Sequence, residues 1–214
     1  AAPANSVYAK RLGLIDVFLN TLRSKSKLLG RKRGPVPYMR TVGGWELKEP
    51  IVIDGKLDDR HWERHRNWSV GRLRELQTGA RPVFGTTVMS AWDRSGQNLY
   101  FAIRCDERPG EKLNVTSTRR EDQALWYGDC VEVHLETDSH SYYQIAVNPA
   151  GAVVDLDRST GRQFDWSSQA EVATHVADDH WTVEMRIPVT NDENDPLNFV
   201  VGRKPSVSLP WHFN

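Results

Sequence analysis

The chain has 214 residues, 39% of them hydrophobic, and a formal net charge of +0. That length buries a core of ordinary size for one domain with an appendage, and no run approaches the roughly 18 to 20 apolar residues of a helical membrane span. The zero charge conceals an asymmetry: residues 1–40 hold nine Lys and Arg against Asp16 alone, while residues 41–214 hold 19 basic and 27 acidic residues, about +8 against −8. The basic part is therefore an appendage and gives no sign of a nucleic-acid-binding fold.

Tyr8, Leu12, Ile15, Leu19 and Leu22 recur at three-to-four spacing, which predicts an amphipathic helix starting near Asn5 or Ser6 and ending by Gly30. Arg31-Lys32-Arg33-Gly34-Pro35 follows as a basic linker, so residues 1–44 read as a helical basic extension. Its ordinary role is a solvated helix or linker joining this domain to another part of a longer protein, with a membrane-surface or nucleic-acid-binding segment as the alternative. Ala1-Ala2-Pro3-Ala4 fits a mature end left by signal cleavage, while Asp16 interrupts any intact signal peptide.

The globular part, 45–214, opens near Trp45. Ile51 to Asp59 reads as a short strand, a turn through Asp54-Gly55 and an acidic helix start, and it places Trp62 in the core. Thr86 to Trp92 and Asn98 to Asp106 alternate around Asp93-Arg94-Ser95-Gly96, a hairpin signal. Gly110 to Gln123 is a long polar loop, expected to shape the rim of a site.

Asp129–Glu136 and Tyr142–Asn148 form the central hairpin around Thr137 to Ser141. Val131, Val133 and Leu135 share its apolar face. Cys130, Glu132, His134 and Glu136 share a face too polar for an ordinary core. Trp126 just before the hairpin and Asn148 at its end put an indole, a carboxylate and a carboxamide within reach of one surface.

Gly161 to Ser168 is another polar loop, with Phe164 and Trp166. Ala170–Val176 and His180–Pro188 are the next strands, with Trp181, Val183, Met185 and Ile187 on one face. After the loop Asn191 to Asn198 the chain stops at Leu209 to Asn214, where a new strand is expected to begin and the domain reads as truncated. At least seven short strands with few helices predict an all-β antiparallel β-sandwich of immunoglobulin-like or jelly-roll type. Cys105 and Cys130 are either bridged between strands or left as buried thiols.

Six blocks occur in an order that resembles family 9 carbohydrate-binding modules. They are Ile53 to Asp58 with Trp62; Thr87 to Ala102; Trp126 to Val133; Tyr143 to Gly151; Trp181 to Pro188; and Trp211 to Asn214. Together they cover residues 50–214. The resemblance implies a sandwich that binds oligo- or polysaccharide without catalysis, as an accessory domain of a larger secreted, periplasmic or cell-surface bacterial protein, in some members with structural calcium. It implies a sugar-stacking role for Trp126, a hydroxyl-accepting role for Glu132 and an amide ligand at Asn148, with His134 as a neighbour. Ala146 stands where the best-known members carry arginine, and the second stacking aromatic is expected at Trp166 or Trp211, with a core role favoured for Trp211.

Three other functions compete. Related sandwiches hold haem, for which Met89, Met185 and His134 offer ligands. A protein-interaction module would show the same sequence features. Catalysis is disfavoured, because Glu132 and Glu136 lie four apart on one strand, roughly 13 Å, too far for the usual glycosidase pair. The acidic turns Asp54 to Asp59 and Asp192 to Asp195 read as solvated loops or hard-cation ligands.

Overall fold

The computed structural model describes residues 45–65, 73–74, 78–140, 142–158, 163–195, 197, 199–206 and 211–213. The chain divides into residues 1–41 and 42–214, and every described residue belongs to the second part. The basic helix and linker expected within 1–44 lie outside the described residues.

Two sheets build the domain. The first contains β1 (Trp45–Glu46), β2 (Thr86–Trp92), β3 (Asn98–Asp106), β7 (Glu171–Val176) and β8 (His180–Thr190) in the order β1-β2-β3-β8-β7, with β9 (Val200–Val201) beside β8. The second contains β4 (Val131–Glu136), β5 (Tyr143–Val147), β6 (Val153–Asp157) and β10 (His212–Phe213) in the order β10-β4-β5-β6, all antiparallel. The family of alternating strands thus forms the expected sandwich. Sequence alternation left β6 unassigned, although the turn Pro149-Ala150-Gly151, with Gly151 at φ +77°, returns the chain directly into it. The chain end forms β10, with Phe213 opposite Leu135 and His212 opposite Glu136.

Between the sheets, alternate residues interdigitate: Leu99, Phe101 and Ile103 from β3, Trp181, Val183, Met185 and Ile187 from β8, and Val133, Leu135, Ile145 and Val147 from the hairpin. Aromatic edges complete the layer, with Phe213 against Phe101 and Trp211 against Trp92, both T-shaped. Cys105 and Cys130 are free thiols, and burial pushes the Cys105 thiol up to about 12.

The outer face of the first sheet is covered as well. Leu47, Ile51, Ile53, Leu57 and Trp62 pack over Met89, Ala91, Tyr100 and Ala102. A fully buried carboxylate, Glu184, ties this cover down. Its Oε2 accepts from Asp54 N at 3.0 Å and Gly55 N at 2.8 Å, and its Oε1 accepts from Trp62 Nε1 at 2.9 Å. Gly55 is required here, since it stands at φ +84° and a Cβ would lie 2.6 Å from the Thr174 carbonyl carbon. The short helix α1 (Arg60–His65) exists to deliver Trp62, its one buried residue.

Candidate functional site

The outer face of the second sheet is different in kind. β4 and β5 are in register with Glu132 opposite Ala146 and His134 opposite Gln144, so these four side chains share the outer face of the sheet, where Glu132 and His134 are part-exposed while Ala146 and Gln144 are buried. Glu132 is part-exposed, and its Oε2 accepts from His134 Nε2 at 2.9 Å, in the tautomer that places the proton there, and from Gln144 Nε2 at 3.1 Å. Two donors on one oxygen fix the carboxylate, and Oε1 takes no protein donor among the described residues. His134 lies over Tyr142 with ring centroids 5.8 Å apart and planes 12° apart. The Arg158 guanidinium sits 6.0 Å from the other ring's centre, that of Tyr142.

One end of this patch is walled by the 3₁₀ helix Gln123–Tyr127. Asp122 caps it, its side chain accepting from Ala124 N, and that bond, with further ones from Ser117 and Arg119, holds its carboxyl down at about 2. Leu125 is fully buried against Ala146, Ala152 and Val154, and half-buried Trp126 packs on the same cluster. Ala146, on whose cluster the indole packs, is the cross-strand partner of Glu132. Gly128 lets the chain turn from helix into hairpin, because any Cβ there would overlap the Asn114 carbonyl oxygen. The polar loop before Gln123 is thus the rim that its length suggested, with Asn114 N bonded to Asp129 Oδ2 and Ser117 Oγ to Asp122 Oδ2.

Two of the five sequence-predicted site residues are placed otherwise. Asn148 is 1% exposed; its Oδ1 accepts from Ala150 N and Ala152 N, and its Nδ2 donates to Ser117 O at 2.7 Å. It braces the β5–β6 turn and the rim, and its amide presents nothing to a ligand. Trp166 is 4% exposed and stacks on Tyr143 at 4.6 Å inside the core, so the expectation that it is the exposed aromatic of its loop is corrected. Phe164 holds that exposed position. Glu132 and His134 are in contact, and Trp126 packs on the cluster that contains Ala146, the cross-strand partner of Glu132. Gln144 was missed, although its alternation with Ala146 on the return strand marks it as a neighbour of His134.

The residues named for haem or calcium take the following places. Met185 is in the core, Met89 lies under the cover of the first sheet and His134 faces outward from the second, so these three residues lie in different layers. For calcium, Asp54 pairs with Lys56, while Asp192 and Asp195 accept backbone N–H groups of their own turn. Among the described residues no group of three or more acidic, His or Cys side chains could hold a metal ion.

The sequence profile of the family described as carbohydrate family 9 binding domain-like matches residues 53–204. The chain belongs to that family. Its members are non-catalytic carbohydrate-binding modules, and carbohydrate binding without catalysis is the function of this one. A Bacteroides uniformis protein provisionally assigned to carbohydrate binding shares the fold, at 14% identity and TM-score 0.51 over 68% of this chain and 71% of that one. A family 9 carbohydrate-binding module of Caldicellulosiruptor kristjanssonii, solved with glucose, is 18% identical at TM-score 0.43, covering 68% of this chain and 66% of that one. The same organism's module with cellotriose gives 17%, 0.45, 76% and 68%. No curated protein matches the sequence.

Proposed function

We propose that this family 9 module takes its sugar on the outer face of β4 and β5, with the indole of Trp126 as stacking wall and Glu132 as the carboxylate that accepts sugar hydroxyls. The observation that carries the reading is the state of Glu132: one oxygen is fixed by His134 and Gln144, the other takes no protein donor among the described residues, and its cross-strand partner Ala146 belongs to the cluster on which half-buried Trp126 packs. Sugar rings offer apolar C–H faces to an indole and a rim of hydroxyls to a fixed acceptor. His134 and Gln144 hold Glu132 in place, and their remaining edges extend the polar floor.

The ligand class is an oligo- or polysaccharide, and the module serves a larger secreted or cell-surface bacterial protein that degrades polysaccharide. Among the described residues no helix is long and apolar enough to cross a membrane. Titration calorimetry or affinity electrophoresis against mono-, oligo- and polysaccharides, glucose and cellotriose included, tests the reading. Binding to at least one of them, lost in Trp126→Ala, is expected. Unchanged affinity in that variant would sink the placement of the site.

A further inference from the structure

The geometry points to a second carbohydrate site, a cleft at the other end of the sandwich from Trp126 that takes a neutral, hydroxyl-rich ligand. The cleft does not depend on the placement of the first site on β4 and β5.

Its volume is about 570 Å³, inside the range of about 300–1,000 Å³ in which proteins hold small molecules. Asn98, Arg186 and Pro188 form its floor on the outer face of the first sheet, where Asn98 and Pro188 are cross-strand partners. One wall is the β2–β3 turn, and the other is made by residues that follow β8, among them Asn191, Phe199 and Arg203. Trp126 precedes the start of β4, whereas Arg203 bonds to Asp138, just beyond its end. The six residues of β4, roughly 20 Å, therefore separate the two sites.

Hydrogen bonds hold both walls in place. Val189 N donates to Gln97 O at 2.8 Å and Gly202 N to Thr190 O at 2.8 Å, which ties each wall to β8. Arg203 is clamped on Asp138, with N 2.9 Å from Oδ1 and Nε 2.7 Å from Oδ2. The stem of Lys204 lies on the β2–β3 turn, since a Cβ at Gly96, which holds a φ of +74°, would fall 2.9 Å from Lys204 Cδ. A cleft formed in advance loses little freedom when a ligand enters.

Charge decides against an anion. Arg186, Arg203 and Lys204 border the cleft, but each is held by a carboxylate: Glu171 at 2.9 Å, Asp138 at 2.7 Å and Glu46 at 3.8 Å. Asp195 adds a further negative charge to the lining. What remains on offer is a set of positioned donors and acceptors. Asp93 Oδ2 takes the side-chain N–H of Asn98 at 2.6 Å, and the Asn98 carbonyl oxygen has no donor among the described residues. Asp195 Oδ1 accepts from Leu197 N at 2.9 Å, and its Oδ2 is likewise without a donor among them. The enclosed Nε of Arg186 meets no acceptor among the described residues, an unmet donor at the floor. The exposed amides of Gln97 and Asn191 bring both kinds of group, and part-exposed Phe199 brings an apolar ring. An aromatic face among donors and acceptors suits a sugar, whose C–H faces stack and whose hydroxyls both donate and accept. Two such sites on one module hold a long chain at two points, or two chains at once, so a polymer binds more tightly than its fragments.

Nitrogen-15 NMR titration of the 214-residue chain with glucose, galactose, mannose, xylose, cellotriose and glucuronic acid tests this. The backbone amides of Gln97, Asn191 and Lys204 are expected to shift saturably with at least one neutral sugar, and to do so equally in Trp126→Ala. The double variant Gln97→Ala, Asn191→Ala removes two exposed side chains and should weaken that response roughly tenfold with the urea unfolding midpoint unchanged. No saturable shift with any neutral sugar, a response to glucuronic acid alone, or a response that vanishes in a folded Trp126→Ala would overturn the inference. A saturable response at the cleft with none on β4 and β5 upholds it and counts instead against the placement of the first site.

Discussion

Glu184 and Glu132 are both glutamates on the outward side of a central strand, one in each sheet, and each accepts a hydrogen bond from a side chain outside its own strand, Trp62 and Gln144 respectively. The resemblance ends with the cover. A segment of chain, residues 47–62, lies over Glu184, buries it completely and occupies both of its oxygens with three donors. Burial pushes Glu184 up, partly offset by those bonds. No such segment lies over Glu132 among the described residues. Its Oε2 is held and its Oε1 is open, so one carboxylate organises the fold and the other is poised for a ligand. A polar residue on a strand's outer face is therefore functional only when the chain does not supply its partners.

The largest effect should come from Glu184→Ala. It strands two backbone N–H groups and the Trp62 indole N–H in a dry site, which costs about 3–5 kcal/mol of stability by urea unfolding. A loss under about 1 kcal/mol would mean that the cover is held by apolar packing alone. Asn148→Ala comes next, at about 2–3 kcal/mol, because Ser117 O, Ala150 N and Ala152 N lose their partner together. This variant separates the two uses of a polar group sharply. If it abolished sugar binding while leaving the unfolding midpoint in place, Asn148 would belong with Glu132 and not with Glu184.

The sandwich was legible because apolar alternation reports which residues face the other sheet, and that held along β3, β4 and β8. Alternation is silent about what covers the opposite face. Glu184 follows Val183 as an ordinary outward residue, and only the return of Asp54, Gly55 and Trp62 from some 120 to 130 positions away shows that it is buried. Asn148 carried a local signal, since an Asn before Pro-Ala-Gly caps its own turn, yet its position beside a polar strand face suggested a ligand role. Trp166 was misplaced for the converse reason. Its flanks are polar, but Asp155 binds the backbone and hydroxyl of Ser168 and draws the loop, with its indole, onto Tyr143.

On the open side of the comparison the effects should move from stability to affinity. Trp126→Ala is expected to lower sugar affinity by at least tenfold at a stability cost of about 1–2 kcal/mol, since the indole is only half-buried against Ala146 and Val154. Calorimetry paired with urea unfolding separates the two. A variant that unfolds readily but binds normally would make Trp126 a packing residue of the rim.

Glu132→Gln should have the smallest effect on the fold. The substituted amide keeps an oxygen that can still accept from His134 or Gln144, and the site is part-exposed, so stability should change by less than about 1 kcal/mol. Affinity should nevertheless fall roughly tenfold, because a hydrogen bond to a charged acceptor is worth about twice a neutral one and the open oxygen is the one offered to the sugar. The same substitution at Glu184 should reverse the balance, since there an amide would face three donors with only one acceptor oxygen. Measured side by side, the two Gln variants place each carboxylate by which quantity moves. Equal stability losses would mean that Glu132, too, is held chiefly for the fold.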